Sequence, residues 1–147
     1  MKDKLTIYCD GGARGNPGPA ASAFVVMKGD NIIYKGSRYV GESTNNVAEY
    51  NAVLLALKWL EENGEIYVNY KASFVLDSEL VVKQLNGLYK IKDEKLKKLA
   101  ILVKEVEKNI KGKISYTSVA RNKNRLADFL VNKTLDESFQ FHDPTVF

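Results

Sequence analysis

The sequence predicts an α/β fold: a mixed five-stranded sheet flanked by helices on both faces, in the order β-β-β-α-β-α-α-β-α. Three features lead there. Short apolar runs with period two recur along the chain, longer runs carry apolar residues at helical spacing, and Gly, Pro and Asn punctuate them.

Leu5-Thr6-Ile7-Tyr8-Cys9-Asp10 alternates as a strand should. Gly11 to Pro19 holds four Gly and two Pro and is expected to be a loop. Phe24-Val25-Val26-Met27 and Asn31-Ile32-Ile33-Tyr34 flank Lys28-Gly29-Asp30, a hairpin pattern. From Asn46 to Asn63, Val47, Tyr50, Val53, Leu54, Leu57 and Leu60 have helical spacing, and Gly64 ends the helix. A strand over about 73–76 leads into a helix from Glu79 to Asn86, stopped by Gly87. A longer helix, about 93–111, bears the stripe Leu96, Leu99, Val103, Val106 and Ile110. Ile114 to Val119 is the last strand, and about 125–135 the last helix. The stretch from Asp136 to Phe147 has no clear period; Phe139, Phe141 and Phe147 either dock on the body or leave the end mobile.

A chain of 147 residues, 45% of them apolar, suits one domain. No apolar run reaches the roughly 18–20 residues that span a bilayer, and no signal peptide is visible, so a cytoplasmic protein without a membrane partner is expected. The single Cys9, set among apolar strand residues, reads as a small buried hydrophobe in a reducing compartment. The net charge of +4 is mild, but its distribution is uneven. From Lys90 to Lys113 nine Lys face four acids, and from Arg121 to Lys133 four basic residues face Asp128 alone. Such runs are either solvated helix faces or a surface for a polyanion.

Four acids stand out, each with an ordinary alternative. Asp10 precedes Gly11-Gly12, a turn signal. Glu49 follows Asn46 by three, the spacing of a capping box. Asp77 could cap the next helix, with Ser78 as competitor. Asp128 falls near a first helical turn, where negative charge suits the macrodipole. Their joint placement argues for more. Asp10 and Asp77 each end a strand, and ligands of α/β sheets bind at the carboxyl ends of parallel strands. On neighbouring strands they stand about 5 Å apart, and the helices bearing Glu49 and Asp128 can return to the same edge. Carboxylates so gathered repel and raise at least one pKa. Hard divalent cations, Mg²⁺ or Mn²⁺, relieve that repulsion, and with one His and one Cys a soft-ligand site is nearly excluded. Paired ions among carboxylates suit in-line phosphoryl displacement.

Four segments resemble type 1 ribonuclease H in family order, over about residues 4 to 135. These are Tyr8-Cys9-Asp10-Gly11-Gly12-Ala13-Arg14-Gly15-Asn16-Pro17-Gly18, Thr44-Asn45-Asn46-Val47-Ala48-Glu49-Tyr50, Asp77-Ser78-Glu79-Leu80-Val81-Val82-Lys83-Gln84-Leu85-Asn86-Gly87 and Arg121-Asn122-Lys123-Asn124-Arg125-Leu126-Ala127-Asp128. The resemblance implies a ribonuclease H-like fold, with a catalytic domain over 1–135 and a tail over 136–147. It implies that Asp10, Glu49, Asp77 and Asp128 ligate two Mg²⁺ ions, with Mn²⁺ as substitute. The RNA strand of an RNA–DNA hybrid is then hydrolysed to leave 5′-phosphate and 3′-hydroxyl ends, by a monomer needing no protein partner.

Asn16, Asn45 and Asn46 match positions that touch bases in the minor groove, and Thr44 one that grips a DNA phosphate. Main chain at Gly11, Gly12 and Ala13 matches the approach to RNA 2′-hydroxyls, and Asn124 joins the substrate contacts. The three asparagines also suit turns and caps. Two departures stand out. Arg121 occupies the place of a family histidine, as in an archaeal-like branch, and is expected among the catalytic residues as a fixed cation; the sole His142 lies in the tail. A basic helix and loop found in some members is missing, leaving Tyr89, Lys90 and Lys92 as partial replacements, and Trp59 is expected in the core. An actin-like phosphotransferase is disfavoured by chain length, and a binding module with a decayed centre by the presence of all four acids. Double-stranded RNA stays open as a substrate.

Overall fold

Two consecutive glycines decide how the layers of this protein meet. The computed structural model describes residues 3–141, with side chains as far as 138. The elements are β1 (Lys4–Ala13), β2 (Gly18–Lys28), β3 (Asn31–Ser43), α1 (Asn45–Glu62), β4 (Lys71–Leu76), α2 (Glu79–Leu85), α3 (Glu94–Glu107), β5 (Lys113–Ser118), a 3₁₀ turn (Arg121–Lys123) and α4 (Arg125–Phe141). The expected order is observed. The five strands form one mixed sheet, β3-β2-β1-β4-β5, antiparallel among the first three and parallel from β1 through β4 to β5.

Alternation along the strands divides the core in two. Leu5, Ile7 and Cys9 of β1, with Phe24, Val26, Ala72, Phe74 and Leu76, face α1, α2 and α3. Helix α1 is apolar nearly all round and packs centrally, whereas α3 buries only the stripe side, with Leu96 and Val103 inside. Trp59 packs against this core, stacked on Tyr34. On the opposite face Ala21 and Ala23 meet Val131 and Leu135 of α4. The small residues there bring α4 close to the sheet.

The expected loop from Gly11 to Pro19 is much shorter than its composition suggests. Pairing continues through Gly11↔Ser22, Gly12↔Ala21 and Ala13↔Ala20, so only residues 14–17 turn between strands. The glycines serve close approach rather than chain reversal. A Cβ on Gly11 would lie 2.2 Å from the carbonyl carbon of Ala48 and 2.4 Å from the Glu49 nitrogen. Gly12 faces the other way, where its Cβ would meet Val131 Cγ1 at an ordinary 3.6 Å. Ser22, beside Gly11, donates to the Ala48 carbonyl at 2.6 Å and pins the same helix turn.

Three boundaries also differ from expectation. Helix α1 is capped by Thr44, whose Oγ1 accepts from the Val47 N–H at 3.3 Å, so Asn46 lies inside the helix and makes no capping box with Glu49. Strand β3 runs nine residues beyond Tyr34, to Ser43, because it pairs along the whole of β2. Helix α4 continues past Leu135 to Phe141, supported by ion pairs Arg14–Asp136 at 2.7 Å and Lys133–Glu137 at 4.0 Å. Readings of Phe139, Phe141, His142 and Phe147 lie outside the described side chains. Among the described residues, no helix is long and apolar enough to cross a membrane.

Gly11→Ala is expected to destabilise the protein by about 3 kcal/mol, since a backbone contact cannot be relieved by a rotamer change. Gly12→Ala is expected to be neutral or stabilising by up to about 1 kcal/mol. Urea denaturation of both variants checks this; equal midpoints would refute the close-approach account.

Candidate active site

The carboxyl end of β1 lies beside that of β4, because Tyr8 pairs with Val75 and both chains continue two residues further, to Asp10 and Asp77. The two strands are adjacent and parallel, the condition on which the sequence argument rested. Glu49 comes from the first turns of α1, which the Gly11–Ala48 contact presses onto β1. Its Oε1 accepts from the Gly11 N–H at 3.2 Å. The third block resolves in favour of Ser78, whose hydroxyl accepts from the Val81 N–H at 3.3 Å and caps α2. The Asp77 carboxylate is thereby released from capping.

One ligand oxygen from each of Asp10, Glu49 and Asp77 lies within 4.8 Å of the others. Asp10 and Glu49 are buried, at 6% and 5% exposure, and Asp77 is half-buried. Glu49 Oε2 and Asp77 Oδ2 are shielded from solvent and accept no hydrogen bond. Asp128 stands in the first turn of α4, half-buried, on the wall of the same cleft but outside the tight group of three. Sequence reasoning gathered four acids equally; the structure gathers three and sets one apart. The cleft, about 360 Å³, is also lined by Gly12, Ala13, Arg14, Asn45, Asn46, Arg121 and Asn132.

Burial holds Asp10 up to about 7, against a hydrogen bond from Glu49 that lowers it, with the charges of Asp77 and Asp128 adding to the rise. Glu49 is held well above the usual carboxylate range by burial and then by the Asp10 charge. Asp77 is also raised by burial, which the Arg121 guanidinium partly opposes. Arg121 Nε lies 3.9 Å from Asp77 Oδ2, but its side chain is 86% exposed, so it is a loose and adjustable neighbour. Without cations, burial and mutual repulsion thus bias all three carboxyls toward their protonated forms.

Around the acids, two asparagines have fixed orientations. Asn45 Oδ1 accepts from the Ala13 N–H at 2.8 Å, and Asn16 Oδ1 accepts from the Asn45 N–H at 3.0 Å. A backbone N–H can only donate, so the oxygen of each amide faces inward and its NH₂ is left for a ligand. A neighbouring cleft of about 560 Å³ is lined by Asn16, Thr44, Asn45, Asn46, Asp93 and Lys95, and shares Asn45 and Asn46 with the acidic cleft.

Asn124, expected among the substrate contacts, is 1% exposed, and its Nδ2 donates to the Cys9 carbonyl at 2.8 Å. It ties the start of α4 to β1 beside Asp10 and so sets the position of Asp128, rather than facing a groove. Sequence reasoning missed Arg14 and Asn132 on the cleft wall, where Arg14 Nη2 donates to the Asn132 carbonyl at 3.4 Å. The Arg14 pairing with Asp136 had no local signal, since the partners are far apart in sequence.

An all-oxygen set with orphaned acceptors fits hard divalent cations. Asp10, Glu49 and Asp77 are placed to hold one, with Asp128 able to contribute from the wall.

Comparison with known proteins agrees with this geometry. The family model described as RNase H matches residues 2–136. The chain is 37% identical over 136 residues to a ribonuclease HI of Halobacterium salinarum, covering 92% of this chain and 66% of that protein. It is 35% identical over 139 residues to a bifunctional protein of Mycobacterium tuberculosis, covering 93% of this chain and 37% of the relative. The chain thus spans just over a third of the mycobacterial protein's length. Among solved structures, LC11-RNase H1 in complex with an RNA/DNA hybrid superposes with a TM-score of 0.87 and 38% identity, covering 92% of this chain and 99% of the other. RNase H1 from Halobacterium salinarum superposes with a TM-score of 0.83 at 36% identity, covering 91% and 98%.

The raised carboxyls set a sign for the pH dependence of the cation-free protein. A carboxyl with a folded pKa above its unfolded value, about 3.9 for Asp, favours folding while protonated. That contribution is complete below the unfolded value and is lost as pH rises through about 7 for Asp10. In chelator, the melting temperature of wild type relative to Asp10→Asn is expected to fall across this window, leaving the variant the more stable above it. A constant difference from acid to alkaline pH would show that Asp10 is not held protonated.

Proposed function

This chain belongs to the RNase H family and has its α/β fold, and on that premise we propose that it is an endonuclease hydrolysing the RNA strand of RNA–DNA hybrids. The reaction uses two divalent ions, Mg²⁺ or Mn²⁺, and leaves 5′-phosphate and 3′-hydroxyl ends; the protein acts as a cytoplasmic monomer. The observation that carries the reading is the buried cluster of Asp10, Glu49 and Asp77, with two carboxylate oxygens that accept no hydrogen bond, open to a cleft edged by outward-facing amides. The solved complex of LC11-RNase H1 with an RNA/DNA hybrid supports the substrate class.

Bound cations supply the positive charge that activates an attacking water and stabilises the departing oxygen. The protein's own groups do the rest. Asp10, Glu49 and Asp77 fix the point of attack at the end of β1, and burial keeps their charges unscreened by water. Asp128 adds negative charge from the α4 wall of the cleft, which Asn124 ties to β1. Gly12 and Ala13 bring bare main chain to the cleft, the approach needed to sense a 2′-hydroxyl. The N–H groups of Gly11 and Ala13 are already engaged with Glu49 and Asn45, so main-chain carbonyls are the partners available to a 2′-hydroxyl donor. The NH₂ groups of Asn16 and Asn45 offer donors to minor-groove acceptors on bases. Asn46 edges both clefts, and the exposed Thr44, with its hydroxyl donor free, suits a phosphate on the DNA strand. Asn124 contributes from beneath, through the backbone of β1.

Arg121 is assigned to the leaving side of the scissile phosphate as a permanent cation. It sits on the cleft wall, exposed and within 3.9 Å of Asp77, free to pair with an incoming anion.

Digestion of labelled hybrid, duplex RNA and single-stranded RNA in Mg²⁺ tests the reading. Only the RNA strand of the hybrid is expected to be cut, and Asp77→Asn should lower kcat more than about a thousandfold without unfolding the protein. Arg121→Ala should lower kcat about tenfold with little change in KM; a change confined to KM and its salt dependence would make it a phosphate-positioning residue. Near-normal turnover by Asp77→Asn, or equal cleavage of all substrates, would refute the assignment.

A further inference from the structure

Three lysines stand side by side on neighbouring strands: Lys4 of β1 pairs with Lys71 of β4, which pairs with Lys113 of β5. Adjacent strands are about 4.8 Å apart, and like charges directly opposite one another destabilise a sheet. All three side chains are exposed, and among the described residues none makes an ion pair. Protection of a sheet edge explains a lysine on β5, the edge strand, but not one on β1 or β4, which are interior.

The row lies on a particular face. Leu5, Ala72 and Ile114, the next residue in each strand, point into the core beneath α1 and α3, so the lysines point to the opposite face. That is the face of α4, but α4 packs over β1, β2 and β3, and among the described residues no helix packs extensively on this side of β4 and β5. Above the lysines come hydroxyls in the same register, the half-buried Thr6 and Ser115 and the buried Ser73, to which Ser115 donates at 3.5 Å. Along β1 the face then passes Tyr8 and reaches Asp10. Beside Tyr8, a cleft of about 230 Å³ is edged by the exposed Lys123 and Arg125. At the far end, Lys71 and Lys113 meet Lys111 around a small cleft of about 180 Å³. Lys4 and Asp10 are six residues apart on one strand, roughly 20 Å.

We propose that this open face of β1, β4 and β5 binds the backbone of a single-stranded nucleic-acid extension flanking the hybrid. The inference rests on the ribonuclease reading for its substrate, but its binding test does not depend on turnover. A row of exposed cations lying across three strands suits phosphates followed one after another along a single strand. A duplex, being convex, touches a flat sheet along a line only. The lysines read charge rather than sequence, so this contact increases affinity for tailed substrates without changing the chemistry.

The test compares two hybrids with the same duplex, one blunt and one carrying a single-stranded DNA extension, bound in chelator and followed by fluorescence anisotropy. The variant is Lys4→Gln/Lys71→Gln/Lys113→Gln. Wild type is expected to bind the tailed hybrid several-fold more tightly at low salt, and the variant to lose that advantage. The slope of log affinity against log salt for the tailed hybrid should fall by about 2, from three contacts at about 0.7 each. Melting temperature should be unchanged or raised, because like-charge repulsion is relieved, and kcat on the blunt hybrid should be unchanged. If the triple variant fails to fold, the single Lys71→Gln should still halve the tail advantage or more. No advantage from the tail in wild type, or the same advantage in the variants, overturns the proposal. If no hybrid is cleaved at all, the ribonuclease reading fails, while the binding comparison still decides this one.

Discussion

The constraint on which the structure turns is the gathering of three carboxylates within 4.8 Å in a buried site. Such an arrangement opposes folding, since each charge loses hydration and meets like charge. It persists because contacts that do not involve the carboxylates over-determine it. Parallel pairing of β1 with β4 fixes Asp10 against Asp77. Close contact of Ala48 with Gly11, reinforced by Ser22, fixes Glu49. The buried Asn124 holds α4 to the Cys9 carbonyl and with it the wall that carries Asp128. The core supplies the free energy, and the site draws on it.

This division of labour explains the mixture of rigid and loose parts around the cleft. The three clustered acids rest on the neighbouring strands β1 and β4 and on helix α1, whose inner residues are buried. The groups assigned to the substrate lie at the margin, on the short turn of residues 14–17 and the first turn of α1, tied to each other by the Asn16–Asn45–Ala13 chain of hydrogen bonds. That chain uses the acceptor side of each amide and leaves the donors outward. Arg121, nearly fully exposed on a 3₁₀ turn, has the most freedom, as a charge that must meet a moving phosphate should.

Much of this was legible in the sequence, because period and punctuation carried it. The order of the nine described strands and helices, the burial of Cys9 and the core stripe of α3 followed from alternation and spacing, while strand-end logic brought Asp10 and Asp77 together only on the condition, met in the structure, that their strands are neighbours. Most of what could not be read depended on partners distant in sequence. Gly11 and Gly12 looked like a turn because glycine marks both turns and close approach, and only the positions of Ala48 and Val131 distinguish the two. Thr44 displaced Asn46 as the cap, a competition between adjacent polar residues that propensity does not settle. Asn124 looked like a surface group, yet its partner is a carbonyl 115 residues away. The difference between Asp128 and the other acids is one of distance, to which motif spacing is blind.

The central claim is that the fold pre-assembles an acidic cluster whose repulsion hard cations relieve. Melting temperature at pH above 7, in chelator and in saturating Mg²⁺, tests it without reference to catalysis, because a ligand that binds only the folded form stabilises it by linkage. The account predicts a clear rise with Mg²⁺ in the wild type, about 2.7 kcal/mol at a hundredfold excess over Kd, and a much smaller rise in Glu49→Gln, which starts from a higher value in chelator. Equal melting temperatures with and without Mg²⁺, or the same rise in Glu49→Gln, would contradict it.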